Sequence, residues 1–265
     1  MQRSEVAAGY LAALGLVPDA PTPAFLGEIV QRHVARFPFT SVGPRLGDQL
    51  PLDLSELYQR IVVRRRGGYC FEQNALAFDV LEELGFRVRL YLARVIYDQD
   101  IHSGLTHRLT LVEIDGADHV VDVGFGHMGP ARAVPMSGAE VRESARVFRV
   151  AQPRPGEFHM QCLKDDTFYS LYRFELARYG QADCELGHFY SHRHPKAVFV
   201  NHLVASRILS DEIRSLRDRE YRVLASAGER VRPVTGATEL HSILTSEFDL
   251  KVTKAECQRL FDSLP

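Results

Sequence analysis

Residues 107–125, HRLTLVEIDGADHVVDVGF, decide how this chain is read. Apolar and polar residues alternate with the period of two that marks a strand, first over HRLTLVEI and again over HVVDVGF. Between the runs stand Asp115 and Gly116, a pair suited to the two positive-φ positions of a type I′ hairpin turn. With that turn, Asp122 falls opposite Leu109, and Leu109 shares a strand face with His107. His107 and Asp122 are then diagonal neighbours, with Cα atoms about 7–8 Å apart and side chains within reach. A carboxylate so placed can fix an imidazole tautomer and stabilise the imidazolium. A lone strand histidine is more commonly a core or edge residue. An aspartate inside VVDVGF is harder to explain that way, because a buried carboxylate needs a partner.

The same period extends around this hairpin. Val88, Leu90 and Leu92 alternate with Arg87, Arg89 and Tyr91, and FHMQCLKDDTFYSLYRFEL reads as a second hairpin turning near Asp165 and Asp166. Towards the N-terminus the period lengthens to that of a helix. MQRSEVAAGYLAALGLVPDA reads as a short amphipathic helix rather than a signal peptide. After Pro18 to Pro23, Phe25, Ile29, Val30, His33 and Val34 mark another helix, Leu54 to Val63 a third, and Ala75 to Leu84 a fourth that Gly85 ends in a left-handed cap. Beyond Ala182 the reading is mixed: a His-rich solvated loop, an apolar helix around Phe199–Leu209, a strand near Tyr221–Leu224 and a terminal helix from Thr253. The order points to an α+β protein in three parts, residues 1–85, 86–185 and 186–265.

Composition removes several classes of function. The 265 residues are 45% hydrophobic and 25% charged, which suits a chain with a sizeable core. Lys and Arg number 32 against 34 Asp and Glu, so no global basic field is available for nucleic acid. No apolar run approaches the ~18 residues that span a bilayer. Cys70, Cys162, Cys184 and Cys257 lie far apart without a CxxC pair and read as free thiols of a cytoplasmic protein. Cys184 with His188, His192 and His194 lacks a second nearby cysteine, so no metal site is expected. Glycine-rich phosphate loops of the GxGxxG or Walker type are missing.

The sharpest motif is RRRGGYCFEQN, residues 64–74. Two glycines permit a tight turn, after which Cys70 opens a helix. Unpaired N–H groups there favour thiolate over thiol and can bring a cysteine from about 8.5 into the range of roughly 3.5–7.5. An inert cysteine packed at a helix start fits the local sequence equally well. A nucleophilic one needs a base and an orienting group, which His107 and Asp122 can supply. Arg64, Arg65 and Arg66 read as a solvated basic run, with Arg66 bracing the first part against the second.

Together, RGGYCFEQN, SGLTHRLTLV and VVDVGFG resemble, in that order, the arylamine N-acetyltransferase family, and YRFELARYGQADCELGHFYSHRHP extends the resemblance. The resemblance implies an N-terminal helical bundle, a central β-barrel and a C-terminal α/β lid around a cysteine-protease-like Cys-His-Asp core. It implies that Cys70 takes an acetyl group from acetyl-coenzyme A, that His107 forms an ion pair with it, and that Asp122 orients His107. An arylamine, arylhydrazine or hydroxyarylamine would then discharge the thioester in a ping-pong cycle, with no permanently bound cofactor and no nucleic-acid or membrane partner. Ser103, Gly104 and Gly126 would contact the coenzyme, and Thr106, Phe125 and Phe199 the acceptor. Two positions depart from the family pattern. Phe39-Thr40-Ser41-Val42 stands where Phe-Glu-Asn-Leu is usual, and Ala197 stands where a serine is frequent after the proline at Pro195. Amide synthases that close macrolactams, transglutaminase-like thiol hydrolases, and a binding protein with a silent triad are the competing readings.

Overall fold

The computed structural model describes residues 1–143 and 146–265. Helix α1 (Arg3–Leu14) ends at Gly15, whose φ of 67° is left-handed. Helix α2 (Pro23–Arg36) starts at Thr22, which accepts the Phe25 N–H, with proline in its first turn. The short strand β1 (Phe39–Thr40) and helix α3 (Val42–Leu46) follow. Helix α4 (Leu54–Tyr58) widens into a π-turn over Gln59–Val63, so the expected helix at 54–63 is present with a looser end. Helix α5 (Cys70–Glu83) is buried along most of its length, and Gly85 follows it with φ 86°. Tyr10, Leu11, Leu26, Ile29 and Leu76 join the core where these helices meet.

The central region is a sheet of strands β2 (Arg87–Val95), β3 (His107–Ile114), β4 (Ala117–Val121), β5 (Val134–Pro135), β6 (Val141–Glu143), β7 (Arg146–Arg154), β8 (Glu157–Lys164) and β9 (Thr167–Glu175). Their order is β5-β4-β3-β2-β9-β8-β7-β6, and β5 returns beside β7, so the sheet is a nearly closed barrel. Strands β3 and β4 pair from Thr110↔Val121 to Ile114↔Ala117, the register expected from the Asp115-Gly116 turn. Both turn residues have positive φ, 53° and 75°. The second hairpin turns at Asp165 and Asp166, also as read from the sequence. Strands β6 and β7 carry no comparably clear alternation and were not anticipated.

The C-terminal region holds α6 (Gln181–Arg193), α7 (Val198–Asn201), β10 (Val204–Ile208), β11 (Glu212–Arg217), β12 (Glu220–Ala225), β13 (Gly228–Pro233), α8 (Ala237–Ser242), a π-turn over Ile243–Glu247, and α9 (Lys254–Asp262). Two expectations are corrected here. The stretch Phe199–Leu209 is not one helix: helix stops at Asn201, and β10 pairs with β11 and with β1. Its apolar residues suit either state, and non-local strand pairing decides between them. The stretch from Cys184 is not a solvated loop. It is helix α6, which runs through residue 185 and buries Cys184, His188 and His192, four residues apart, on one face.

Strand β1 is an edge of the five-stranded sheet β1-β10-β11-β12-β13, so the N-terminal chain contributes to the C-terminal layer. Arg66 braces a different pair of regions from the one expected. It bonds Glu256 at 2.9 Å and approaches Asp48 at 3.5 Å, tying the helical part to α9. Arg65 and Arg36 similarly meet Asp249. Among the described residues, no helix is long and apolar enough to cross a membrane, and no cluster of His, Cys, Asp or Glu could hold a metal ion.

Candidate active site

Cys70 is the first residue of α5, as its motif suggests. Gly67 makes the approach possible: its φ is +65°, and a Cβ there would stand 2.7 Å from the Pro38 carbonyl oxygen. Tyr69 caps the helix in extended conformation, and its N–H donates to Glu72 Oε2 at 3.2 Å. Cys70 is 3% exposed, and its thiol donates to the Thr106 carbonyl oxygen at 3.5 Å. The nucleophile candidate therefore lies against the backbone next to His107.

His107 opens β3, and Asp122 follows the last residue of β4. His107 Nε2–H donates to Asp122 Oδ2 at 2.7 Å, with both residues almost fully buried. Nδ1 is then the ring nitrogen left to exchange a proton. Asp122 Oδ1 accepts from Asn74 Nδ2 at 2.9 Å and from the Gly124 N–H at 3.0 Å. Asn74 also donates to the Arg108 carbonyl oxygen at 2.6 Å and accepts the Val123 N–H at 3.0 Å. Sequence reasoning assigned Asn74 no part. Its signal was its place one turn after Cys70, on the same helix face. Gly124 is needed for closeness: a Cβ would stand 2.8 Å from Cys70 Cα and 2.6 Å from Asn74 Nδ2.

Electrostatics divide the pair from the thiol. Burial works to raise the Asp122 carboxyl, but His107, Asn74 and the Gly124 N–H outweigh it and hold Asp122 below the usual carboxylate range. For Cys70, burial is the largest influence and pushes the thiol up, and the Asp122 charge adds to it. Backbone N–H groups of Arg108 and Phe71 act in the opposite direction without prevailing. The expected lowering by the helix start is therefore overridden, because Cys70 is withdrawn from water.

Aromatic rings enclose the base. Phe125 meets His107 edge-on at 5.1 Å, and Tyr172 lies 4.8 Å from it. Phe125 and Gly126 border a small cavity beside Asp122, with Phe37, Phe39, Val123 and Ser206. Phe199 packs on Tyr69 at 5.0 Å and Phe39 at 5.7 Å, in the apolar cluster that holds Cys70. Thr106 accepts from the thiol through its backbone, whereas its hydroxyl turns to the Gly104 carbonyl oxygen. Ser103 donates to the Val95 carbonyl oxygen at 2.9 Å, in the loop leading to β3. The unusual Thr40 and Ser41 do not face the cavity with free hydroxyls. Thr40 Oγ1 donates to the Val204 carbonyl oxygen at 3.0 Å, and Ser41 Oγ to that of His202 at 2.8 Å.

A helix-start cysteine set against a strand-borne His–Asp pair, at the edge of a barrel, defines the class of cysteine-dependent acyl-transfer enzymes. Known proteins narrow this further. The family model described as N-acetyltransferase matches residues 24–257. An arylamine N-acetyltransferase of Mycobacterium tuberculosis is 33% identical over 240 residues, covering 88% of this chain and 84% of the relative. The solved arylamine N-acetyltransferase of Salmonella typhimurium superposes with a TM-score of 0.92 at 26% identity, covering 98% of each chain. That of Mycobacterium marinum in complex with CoA gives 0.91 at 27% identity, covering 98% of this chain and all of the other. The chain belongs to the arylamine N-acetyltransferase family.

Proposed function

We propose that this protein transfers an acetyl group from acetyl-coenzyme A to the nitrogen of an arylamine, arylhydrazine or hydroxyarylamine, through a thioester on Cys70. The single observation that carries the reading is the hydrogen-bonded His107–Asp122 pair beside a buried helix-start Cys70, in a chain of this family. His107 Nδ1 takes the Cys70 proton, and the sulfur attacks the acetyl carbonyl carbon. The bond to the coenzyme sulfur breaks, and that sulfur leaves with the proton from His107. In the second half, the amine nitrogen attacks the Cys70 thioester and passes its proton to His107. The carbon–sulfur bond breaks, and the proton returns to Cys70. Asp122 remains ionised throughout and stabilises the imidazolium, in keeping with its lowered carboxyl.

Phe125 and Phe199 are assigned to the wall of the acceptor site with Thr106, and Ser103, Gly104 and Gly126 to the coenzyme approach. The hydroxyls of Thr40 and Ser41 bond the backbone of β10 and of His202 just before it, which gives the altered segment a fastening role and lends no weight to a specialised acceptor. The protein is placed in the cytoplasm, a reading supported by its unpaired cysteines. The test is intact-protein mass after mixing with acetyl-coenzyme A and no amine. A gain of one acetyl group, lost in Cys70→Ala and discharged by an arylamine, is the expected result. An unmodified wild-type protein would overturn the assignment.

A further inference from the structure

Helix α6 touches both halves of the catalytic arrangement. A Cβ on Gly187 would stand 2.6 Å from the Phe71 ring and 2.5 Å from the Leu105 carbonyl oxygen, so α6 is pressed against the start of α5 and the approach to His107. The next residue, His188, is 5% exposed in the same seam. Its Nε2–H donates to the Leu50 carbonyl oxygen at 2.6 Å, which fixes the tautomer and leaves Nδ1 as an acceptor. The Tyr69 hydroxyl donates to that Nδ1 at 2.5 Å and also lies 3.2 Å from the His188 carbonyl oxygen. The two rings are nearly parallel, 10° apart with centroids at 5.5 Å, and Phe71 closes on His188 at 5.8 Å.

Tyr69 is covalently next to Cys70. Its backbone N–H is fixed by Glu72, which is itself paired with Arg60 at 2.9 Å. The Tyr69 side chain, packed by Phe71 and Phe199, has its hydroxyl fixed by His188. His192, one turn further along α6, donates Nδ1–H to the His188 carbonyl oxygen at 2.6 Å and steadies the helix there.

We infer that His188 is a positioning residue for acyl transfer: through Tyr69 it fixes the start of α5, and with Gly187 it sets the gap between Cys70 and the strand bearing His107. The inference rests on the Cys70 thioester reading. Burial, then the charges of His192, Arg60 and Arg193, bring the His188 imidazole down to about 4, so it remains a neutral acceptor near pH 7.

The test is the pH profile of Cys70 alkylation by iodoacetamide, resolved by site with mass spectrometry in the full-length protein. It needs no acetyl-coenzyme A, so it reads positioning even if the wild-type protein fails to load an acetyl group. Tyr69→Phe removes only the hydroxyl. It is expected to slow Cys70 alkylation at neutral pH by about tenfold and to move the profile to higher pH. His188→Leu is expected to match it, the double variant to add nothing, and His188→Asn to recover most of the rate by restoring an acceptor. A Tyr69→Phe protein with wild-type rate and profile would overturn the inference, as would effects that multiply in the double variant. Should His188→Leu fail to fold, Tyr69→Phe decides alone.

Discussion

His33 makes the stability of the site's scaffold dependent on pH. It lies fully buried in α2, where Nδ1 accepts from the Tyr10 hydroxyl at 2.6 Å and Nε2–H donates to Gln73 Oε1 at 2.9 Å. Gln73 belongs to the first turn of α5 and donates to the Pro38 carbonyl oxygen at 3.0 Å, so the chain ends beside the nucleophile. Burial lowers the His33 imidazole from 6.5 to about 3, against the opposing Gln73 contact. As pH falls below 6.5, the unfolded chain binds a proton that the folded protein refuses. The stabilisation is complete above that pH and is lost progressively as pH falls towards 3. Between pH 7 and pH 5 this one residue costs about 2 kcal/mol of folding stability. His33→Gln keeps an acceptor and a donor but does not titrate. Its packing cost is the same at both pH values and cancels in the difference. Urea unfolding at pH 7 and pH 5 measures it, followed by far-UV circular dichroism because the chain has no tryptophan. The loss of stability from pH 7 to pH 5 should be about 2 kcal/mol smaller in the variant. Equal losses in the two proteins would show that His33 is not held neutral by its surroundings.

Asp122→Asn should lower turnover by about 10³–10⁴-fold with the fold retained, because the tautomer of His107 is no longer set; steady-state rates and a melting curve check both halves. Burial raises the Cys70 thiol, so His107→Gln should leave it protonated. Its alkylation by iodoacetamide at neutral pH should fall by about 100-fold or more, whereas an unchanged rate would mean that another group accepts the proton. Gly124→Ala introduces a Cβ at 2.8 Å from Cys70 Cα. It should cost about 1–3 kcal/mol in urea unfolding and suppress acetyl loading together, since one displacement causes both.

The parts of this site that were legible in the sequence are the parts set by local rules. The Asp115-Gly116 turn fixes the β3–β4 register, and the register brings His107 to Asp122 without knowledge of any other element. The glycines before Cys70 similarly announce a helix start. What escaped depends on distant partners. Residues 204–208 become a strand because β1 and β11 flank them, and nothing within those five residues records that pairing. Arg66 finds Glu256 rather than a residue of the barrel because the C-terminal helix folds back over the motif. Asn74 and His188 act through neighbours 48 and 119 positions away. The thiol itself shows the limit of motif reading: a helix start predicts its direction, but the depth of burial decides its charge.

The pairing of β1 with β10 also bears on how the chain is made. Thr40 bonds a carbonyl 164 residues further along. At about 5–20 residues per second, the ribosome takes about 8–33 s to deliver that partner. During this interval Phe39 and Thr40 have Gly68 on one side, where the Thr40 N–H meets its carbonyl oxygen, and an unpaired strand edge on the side that β10 takes. Cys70, His107 and Asp122 all precede residue 123, whereas the Phe39–Thr40 edge beside the cavity is covered when the C-terminal sheet is complete.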